Sequence, residues 1–509
     1  MVPVLAERLF FMLKKLTHFL FIVTLFAVIL TVSASAEEVG SALLTDVTLS
    51  NGSAHLTDTK HNTYETFYEP FTIESASEIK GIYLVFRSKT IGFTVSNGTE
   101  SVRFEPAYLQ YYADLTGKFS TPAAKLTVTL DEDASVCEIH AFGEGTLPDF
   151  VHNWSAPLEK ADLLLLSTHA DDEQLFFAGV LPYYAGELGY RVQVAYFTDH
   201  INEPMRRHEL LNGLWTVGIR NYPVISNFPD QYAESYDQAL RNLTSHGYTE
   251  ENVLAFETEL LRRFKPLVVV GHDLNGEYGH GQHMLNSQNL IKAVEYAKDE
   301  TLYPESAQAY GTWDTPKLYL HLYGENQISM NWDIPLEKFG GKTAFNVTQD
   351  GFGCHISQHY TWFNTWLNGT NGQNTKASNI TQHSPSAYGL YRTTVGSDIN
   401  KNDFFENVTT YAEQERIAAE EAEKQRLEEE SRLAEESRLA EESRLAEESR
   451  IAAEALNTTE PDEPLFTMPQ ISISPEVIFV IAIFAIALIS CAVTVFVMGK
   501  NKKNKKRNK

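Results

Sequence analysis

The sequence predicts a doubly wound α/β domain with a mostly parallel sheet, preceded by a β-sandwich and followed by a charged helix and one transmembrane helix. Three observations support this prediction. The middle of the 509-residue chain alternates strands with helices, residues 37–150 show only short strands, and residues 477–498 carry no charge. Alternating strands and helices are typical of parallel sheets, whereas short strands separated by turns are typical of sandwiches.

Composition excludes several classes of protein. The formal net charge of −26 and the 43% of hydrophobic residues exclude a basic nucleic-acid binder and a wholly disordered chain. Three cysteines are too few for a disulfide framework. One bridge between Cys137 and Cys354 is possible in an oxidising compartment, although buried unpaired cysteines are commoner.

Residues 1–36 have the features of a secretory signal peptide. Lys14 and Lys15 precede an apolar run over 16–32, and the small residues 34–36 form a cleavage site. An uncleaved anchor helix is the alternative, but the run is short for a membrane span. We therefore expect the chain to be exported and cleaved after Ala36.

Residues 37–150 are predicted to form the β-sandwich. Ile82, Leu84 and Phe86 alternate with other residues, as do the apolar residues of 126–130 and 137–141, and turns such as Asn97-Gly98 separate such runs. The segment weakly resembles galactose-binding-like sandwiches. We expect an accessory domain that binds sugar or only packs against its neighbour.

Residues 151–410 are predicted to form the α/β domain. Residues 161–168 are a nearly continuous apolar strand, 191–197 and 266–270 are further strands, and 203–217 is a helix. In such a sheet, ligands bind at the carboxyl ends of the strands.

Residues 411–456 are predicted to form a charged helical stalk. Their six-residue repeat advances 240° per unit around a helix of ~3.6 residues per turn, so the leucines do not form a coiled-coil seam. Arg432 lies four residues from both Glu428 and Glu436, a spacing that supports an isolated helix about 70 Å long. A disordered acidic linker is the alternative.

Residues 457–476 are interpreted as a linker and residues 477–498 as the transmembrane helix, which is long enough for a hydrocarbon core of ~30 Å. Residues 499–509 contain seven cations, which the positive-inside rule assigns to the cytoplasm. The chain is thus expected to be a single-pass protein of type I topology, with residues 37–476 outside the cytoplasm. Nine Asn-x-Ser/Thr sequons would carry glycans only in a eukaryotic secretory pathway.

Two strand ends carry the residues suited to chemistry. The first is followed by His169-Ala170-Asp171-Asp172-Glu173, and the third by the polar segment 271–283. A histidine and an aspartate three apart, with a histidine from a second loop, are ligands suited to a divalent metal such as zinc. The neighbouring aspartate would then be free to act as a base. Taken singly, each motif could equally be a helix cap or a packing residue.

These two motifs resemble those of the LmbE-like or PIG-L de-N-acetylases, a family with a Rossmann-like sheet. Its motifs are His-Pro-Asp-Asp-Glu and a second that ends in Gly-His-x-x-His, and the resemblance covers roughly residues 155–410. It implies that the zinc ligands are His169, Asp172 and His283.

The same resemblance implies other roles by position. Asp171 is the expected general base, Tyr278 and a protonated His280 are expected to stabilise the oxyanion, and Arg206 is expected to contact substrate. Ala170 replaces the proline of the family, which implies a looser turn. Residues 317–403 resemble a C-terminal extension of larger members. Its His355 and neighbours could reach the site, but local packing is the expected role.

The resemblance and the topology together imply a membrane-anchored, Zn²⁺-dependent hydrolase that deacetylates an N-acetylglucosamine-type unit of a cell-surface glycan or glycoconjugate. One alternative is a stalked carbohydrate-binding adhesin with a vestigial metal site. Another is a zinc amidase that acts on a different amide.

Overall fold

A computed structural model describes residues 40–457. The predicted signal peptide, the linker beyond Asn457, the transmembrane segment and the basic tail lie outside the described residues. Within 40–457, the structure contains no helix that is both long and apolar enough to cross a bilayer.

The N-terminal part is a sandwich of two antiparallel sheets. Its strands are β1 (Thr48–Leu49), β2 (Glu65–Phe67), β3 (Phe71–Glu74), β4 (Gly81–Phe86), β5 (Phe93–Ser96), β6 (Ser101–Phe104), β7 (Gln110–Asp114), β8 (Lys125–Leu130) and β9 (Ala134–Phe142). One sheet has the order β1-β3-β8-β5-β6 and the other has the order β2-β9-β4-β7. The alternating apolar residues at 82, 84 and 86 are buried between the sheets, as period-two patterning requires.

The second part is a seven-stranded mixed sheet. Its strands are β10 (Leu163–Ser167), β11 (Val192–Tyr196), β12 (Val224–Ile225), β13 (Val268–Gly271), β14 (Lys317–His321), β15 (Gln327–Ser329) and β16 (Ala387–Thr393). The order is β12-β11-β10-β13-β14-β16-β15, with parallel pairing from β12 to β14 and antiparallel pairing at β16. The chain reverses its direction of progression between β10 and β13, which confirms the predicted doubly wound sheet.

Helices lie between these strands. They are α1 (Asp172–Leu175), α2 (Pro204–Thr216), α3 (Tyr236–Ser245), α4 (Glu250–Phe264), α5 (Gly281–Tyr296), α6 (Pro304–Tyr310), α7 (Ala344–Phe352), α8 (Trp362–Asn368) and α9 (Tyr411–Asn457), with a π-helical turn at Pro182–Glu187. All five residues of β10 are buried, which is why this strand is an almost unbroken run of leucines.

The sandwich and the α/β part share one continuous apolar core. Helix α2 carries many of their polar contacts. Gln110 donates to Asn212 at 2.9 Å, and the guanidinium of Arg207 donates to the carbonyl of Ser88 at 2.7 Å. The sandwich is therefore packed directly on the α/β part.

Helix α9 covers the predicted stalk, and its charged side chains pair within the helix. Arg432 pairs with Glu429 at 2.6 Å, three residues away, and among the described residues it forms no ion pair with Glu428 or Glu436, the predicted partners. Arg438 and Glu435 repeat this i,i+3 geometry. These pairs are exposed, so solvent and salt screen them and each contributes little to stability.

Cys137 and Cys354 are not bonded to each other. The buried thiol of Cys137 faces the carbonyl of His61 at 3.2 Å, whereas the sulfur of Cys354 lies 3.5 Å from the hydroxyl of Thr216. The bridge that the sequence left open is therefore absent.

Candidate functional site

The two sequence motifs converge at the point where the strand order reverses. His169 follows the end of β10, and the second motif follows the end of the neighbouring strand β13. Parallel strands place their carboxyl ends at one edge of the sheet, which brings side chains more than a hundred residues apart into contact. His169 Nδ1 lies 3.1 Å from His283 Nε2.

The three predicted metal ligands form a triangle of donor atoms. Asp172 Oδ2 lies 3.1 Å from His169 Nδ1 and 3.1 Å from His283 Nε2, and all three side chains are buried. Tetrahedral coordination with bonds of 2.0–2.1 Å requires donor atoms about 3.3 Å apart. The arrangement therefore fits a small divalent metal, and the donor set of two imidazoles and one carboxylate fits zinc.

Neighbouring groups fix which ring nitrogen each histidine presents to this triangle. His283 Nδ1 donates to Glu277 Oε2 at 2.7 Å, which leaves Nε2 as the donor atom. His169 Nε2 donates to the side-chain oxygen Oε1 of Gln282 at 3.1 Å, which leaves Nδ1 as the donor atom. Such outer partners set tautomer and orientation in metal sites.

Glu277 is the buried carboxylate that organises the second loop. Oε2 accepts from His283 and from His272 Nδ1, and Oε1 accepts from His321 Nδ1 at 2.7 Å. Burial alone would raise the pKa of Glu277, but these histidines hold that pKa well below its ordinary value. Our sequence analysis missed the role of this residue, and its place beside Tyr278 within segment 271–283 was the one signal that could have drawn attention to it.

Metal-ligand geometry alone also admits two other histidines. The donor atoms of His169, His280 and His283 lie within 4.8 Å of one another, as do those of Asp172, His272 and His283. His272 is already occupied, because Nδ1 donates to Glu277 and Nε2 accepts the backbone N–H of Thr168 at 3.0 Å. We therefore interpret His272 as a structural residue that ties the two strand ends together.

Asp171, the predicted base, is buried next to the triangle in a strained conformation. Its φ of 146° lies in a region that L residues rarely adopt, which costs about 1–3 kcal/mol. Burial raises the pKa of Asp171 to about 7, although the Arg206 guanidinium opposes the rise. A carboxyl with this pKa is suited to taking and returning a proton near neutral pH.

Two contacts hold the strained turn. The N–H of Asp171 donates to Glu173 Oε2 at 2.9 Å, and the N–H of Ala170 donates to His200 Nε2 at 3.2 Å. Proline at position 170 could not make the second bond. The alanine thus adds a backbone hydrogen bond to the turn that proline could not supply.

The C-terminal extension reaches the site through His355. Its Nε2 donates to Glu173 Oε1 at 3.0 Å, and both side chains are fully buried. Burial opposes the charged imidazole, yet Glu173 raises the pKa of His355. Of the two roles considered for this histidine, reaching the site and local packing, the contact supports the first, because its partner Glu173 lies inside the first motif.

Arg206 lies at the rim of the site between two carboxylates. Its guanidinium is 3.5 Å from Asp171 Oδ1 and 3.2 Å from Asp230 Oδ2, and its side chain is 12% exposed. Asp230, which our sequence analysis missed, also lies 3.4 Å from His169 Nε2. This aspartate lies in the loop after the short edge strand β12, and no motif spacing in the sequence predicts that it reaches the site.

Tyr278 and His280 lie beside His283 of the triangle, with ring centroids 5.8 and 4.7 Å from its ring. Tyr278 has a φ of 46°, and its ring lies 5.5 Å from that of His280. His280 Nδ1 accepts the N–H of Gln282 at 3.2 Å, and burial lowers the pKa of this imidazole. The ring is therefore neutral with its proton on Nε2, in contrast to the protonated form expected from sequence. A neutral Nε2–H still donates a hydrogen bond.

The chain was compared with known families and proteins. Residues 164–294 match the family PIG-L, described as GlcNAc-PI de-N-acetylase. Two curated relatives carry the name 1D-myo-inositol 2-acetamido-2-deoxy-alpha-D-glucopyranoside deacetylase. The one from Catenulispora acidiphila is 24% identical over 188 residues, 32% of this chain and 57% of that protein. The one from Saccharopolyspora erythraea is 36% identical over 69 residues, 14% of this chain and 24% of that protein.

The chain is also similar to solved structures, and two of these are enzymes with different names. N,N'-diacetylchitobiose deacetylase from Pyrococcus horikoshii is 15% identical, with a TM-score of 0.33, over 46% of this chain and 84% of that chain. The 4-carboxy-2-hydroxymuconate hydratase from Pseudomonas putida is 16% identical, with a TM-score of 0.30, over 48% of this chain and 100% of that chain. The chain spans less than two thirds of the length of the two curated relatives named above.

Proposed function

Since residues 164–294 are a PIG-L (LmbE-like) domain, we propose that the chain is a metal-dependent N-deacetylase that releases acetate from an N-acetylated amino sugar of the N-acetylglucosamine type. The observation that carries this proposal is the triangle of His169, Asp172 and His283 beside the buried carboxyl of Asp171. Amide hydrolysis needs a polarised carbonyl, a base and donors for the oxyanion, and this edge of the sheet holds candidates for each.

The proposed metal is Zn²⁺, held by the three triangle residues. When bound, it would supply Lewis-acid polarisation of the acetamide carbonyl and make a nearby water more acidic. Asp171 takes a proton from the attacking water. The hydroxyl of Tyr278 and the Nε2–H of His280 donate to the oxygen that becomes negative, and Asp171 returns the proton to the leaving amine.

Arg206 is proposed to bind substrate hydroxyl or carbonyl oxygens at the rim, where Asp171 and Asp230 fix the direction of its guanidinium. Rigid orientation of such a donor lowers the entropic cost of binding. The proposed substrate is a class, an N-acetylated glycan or glycoconjugate. The specific substrates named for the relatives are not assigned to this chain.

We also propose that this site lies outside the cytoplasm on a membrane-anchored chain. The support is the sequence alone, namely the signal-like residues 1–36, the uncharged run 477–498 and the cationic end 499–509. Protease accessibility of the head on intact cells, compared with that of the C-terminal tail, tests this topology.

The activity is tested by quantifying acetate and free amine from N-acetylglucosamine oligomers with the purified full chain. We expect both products in equal amounts, loss of release on chelation and recovery with Zn²⁺. Metal bound without any acetate release would favour a different amide, and absence of metal binding would favour the adhesin hypothesis.

A further inference from the structure

A cleft of about 450 Å³ is lined by Trp366 of helix α8 and by residues that follow the helix. Its lining includes the indole of Trp366, the hydroxyls of Thr370 and Thr381, and carboxamides such as those of Gln373 and Asn374, and no charged side chain lines it. Ligand pockets have volumes of roughly 300–1,000 Å³. The cleft therefore has the size and the neutral, hydrogen-bonding surface of a small-ligand site.

The polar groups of the cleft differ in whether they are already bonded. Asn374 is fixed, because its amide donates to the carbonyl of Leu367 at 2.9 Å and its oxygen accepts from Asn379 at 3.0 Å. Among the residues described, the side chains of Thr370, Gln373 and Thr381 have no hydrogen-bond partner, and all three are exposed. The fixed Asn374 thus lies beside three side chains whose donors and acceptors are open to a ligand.

A row of aromatic rings connects the cleft with the candidate active site. Trp366 lies one helical turn after Trp362, with ring centroids 6.3 Å apart, and Trp362 lies 5.7 Å from the ring of Tyr278. Trp362 is 49% exposed, which is unusual for an indole unless it serves as a contact surface. The surface between the site and the cleft is therefore aromatic.

We propose that this cleft is a distal subsite that binds a neutral sugar unit of an oligosaccharide whose N-acetylated unit occupies the site at Asp171. The proposal rests on the proposed function and extends it, because it names an oligomeric glycan as the substrate class. Sugar rings present apolar faces to aromatic side chains and hydroxyls to amides and threonines. Because no cation lines the cleft, it is poorly suited to an acidic glycan.

Binding is tested by calorimetry with the full chain carrying Asp171→Asn, titrated with the dimer and the hexamer of N-acetylglucosamine. We expect the hexamer to bind more tightly than the dimer. Adding Thr370→Ala, Gln373→Ala and Thr381→Ala should weaken hexamer binding about tenfold, which corresponds to about 1.4 kcal/mol, and leave dimer binding unchanged, because hydrogen bonds to the distal sugar unit are lost.

Thr375→Ala is the matched control, since Thr375 is exposed in the same loop but does not line the cleft. Equal binding of dimer and hexamer, or a triple variant with unchanged hexamer binding, would overturn the proposal. Acetate release from the dimer by the unmodified chain reports the deacetylase function separately. Length-dependent binding without such release would support the subsite while contradicting the proposed chemistry.

Discussion

His355 Nε2 lies 3.0 Å from Glu173 Oε1, although the two residues are 182 positions apart and both are fully buried. The other oxygen of Glu173 accepts the N–H of Asp171, whose backbone is strained. The C-terminal extension is thus joined to the candidate base through a single carboxylate. We interpret His355 as a positioning residue for Asp171.

Replacing His355 with alanine should lower kcat roughly 10–100-fold, the range found when an outer partner of a site is lost. The reason is that Glu173 would no longer be held where it fixes the N–H of Asp171. Metal content should be retained, because His355 does not contact the triangle. The measurement is kcat and KM together with metal stoichiometry.

His355→Gln keeps an N–H donor and should recover part of kcat. If His355 only stabilised the fold, the loss of kcat in each variant would instead parallel its loss of melting temperature. His359→Ala is the control, because this nearby histidine contacts the carbonyl of Phe352 and not the first motif. Equal kcat in His355→Ala and the unmodified chain would disprove the positioning role.

Glu277→Gln should weaken metal binding about 10–100-fold and lower the free energy of unfolding by ~1–3 kcal/mol for each buried donor left unpaired. A carboxamide has one accepting oxygen, so it cannot accept from all of His272, His283 and His321. Equilibrium dialysis with Zn²⁺ and thermal unfolding measure the two effects. The exposed Glu325→Gln is the control, and equal metal affinity in the two variants would sink this account of Glu277.

Ionisation of Glu257 on helix α4 should lower the free energy of unfolding as the pH rises. Its carboxylate is fully buried and, among the described residues, has no hydrogen-bond partner, so burial raises the pKa of Glu257 well above its ordinary value. In the unfolded chain this carboxyl has a pKa of ~4.3. The contribution of protonated Glu257 to the free energy of unfolding is therefore complete below that pH, and it is lost as the pH rises through the raised pKa of the folded state.

Glu257→Gln removes this titration. The variant should therefore gain melting temperature relative to the unmodified chain between about pH 4 and pH 7, with the gain growing as the pH increases. Thermal unfolding at several pH values measures it. The exposed Glu259→Gln on the same helix should show no such trend, and a constant difference across pH for Glu257→Gln would refute the assignment.

Much of the fold was predictable because its signals are local. The leucine run of β10 and the period-two pattern of β8 follow directly from which faces are buried, whereas β4 is buried on both faces. The convergence of His169 and His283 followed from one topological rule, that neighbouring parallel strands end at the same edge.

The groups around those ligands were not predictable in the same way. Glu277 and Gln282 lie in the recognised segment, but only the path of the loop decides that one carboxylate faces three imidazoles. His355 and Asp230 come from elements whose register against the site has no local signal. The neutral state of His280 depends on burial and on one backbone N–H, neither of which a motif encodes.

The measurement that tests the central claim most directly is hydrolysis of an N-acetylglucosamine oligomer in water enriched in heavy oxygen, with the zinc-loaded full chain and its Asp171→Asn variant. The account predicts that each released acetate contains one oxygen from water, that one amine appears per acetate, and that the variant loses at least about a hundredfold in rate. Unlabelled acetate, or an Asp171→Asn chain as fast as the unmodified one, would contradict it.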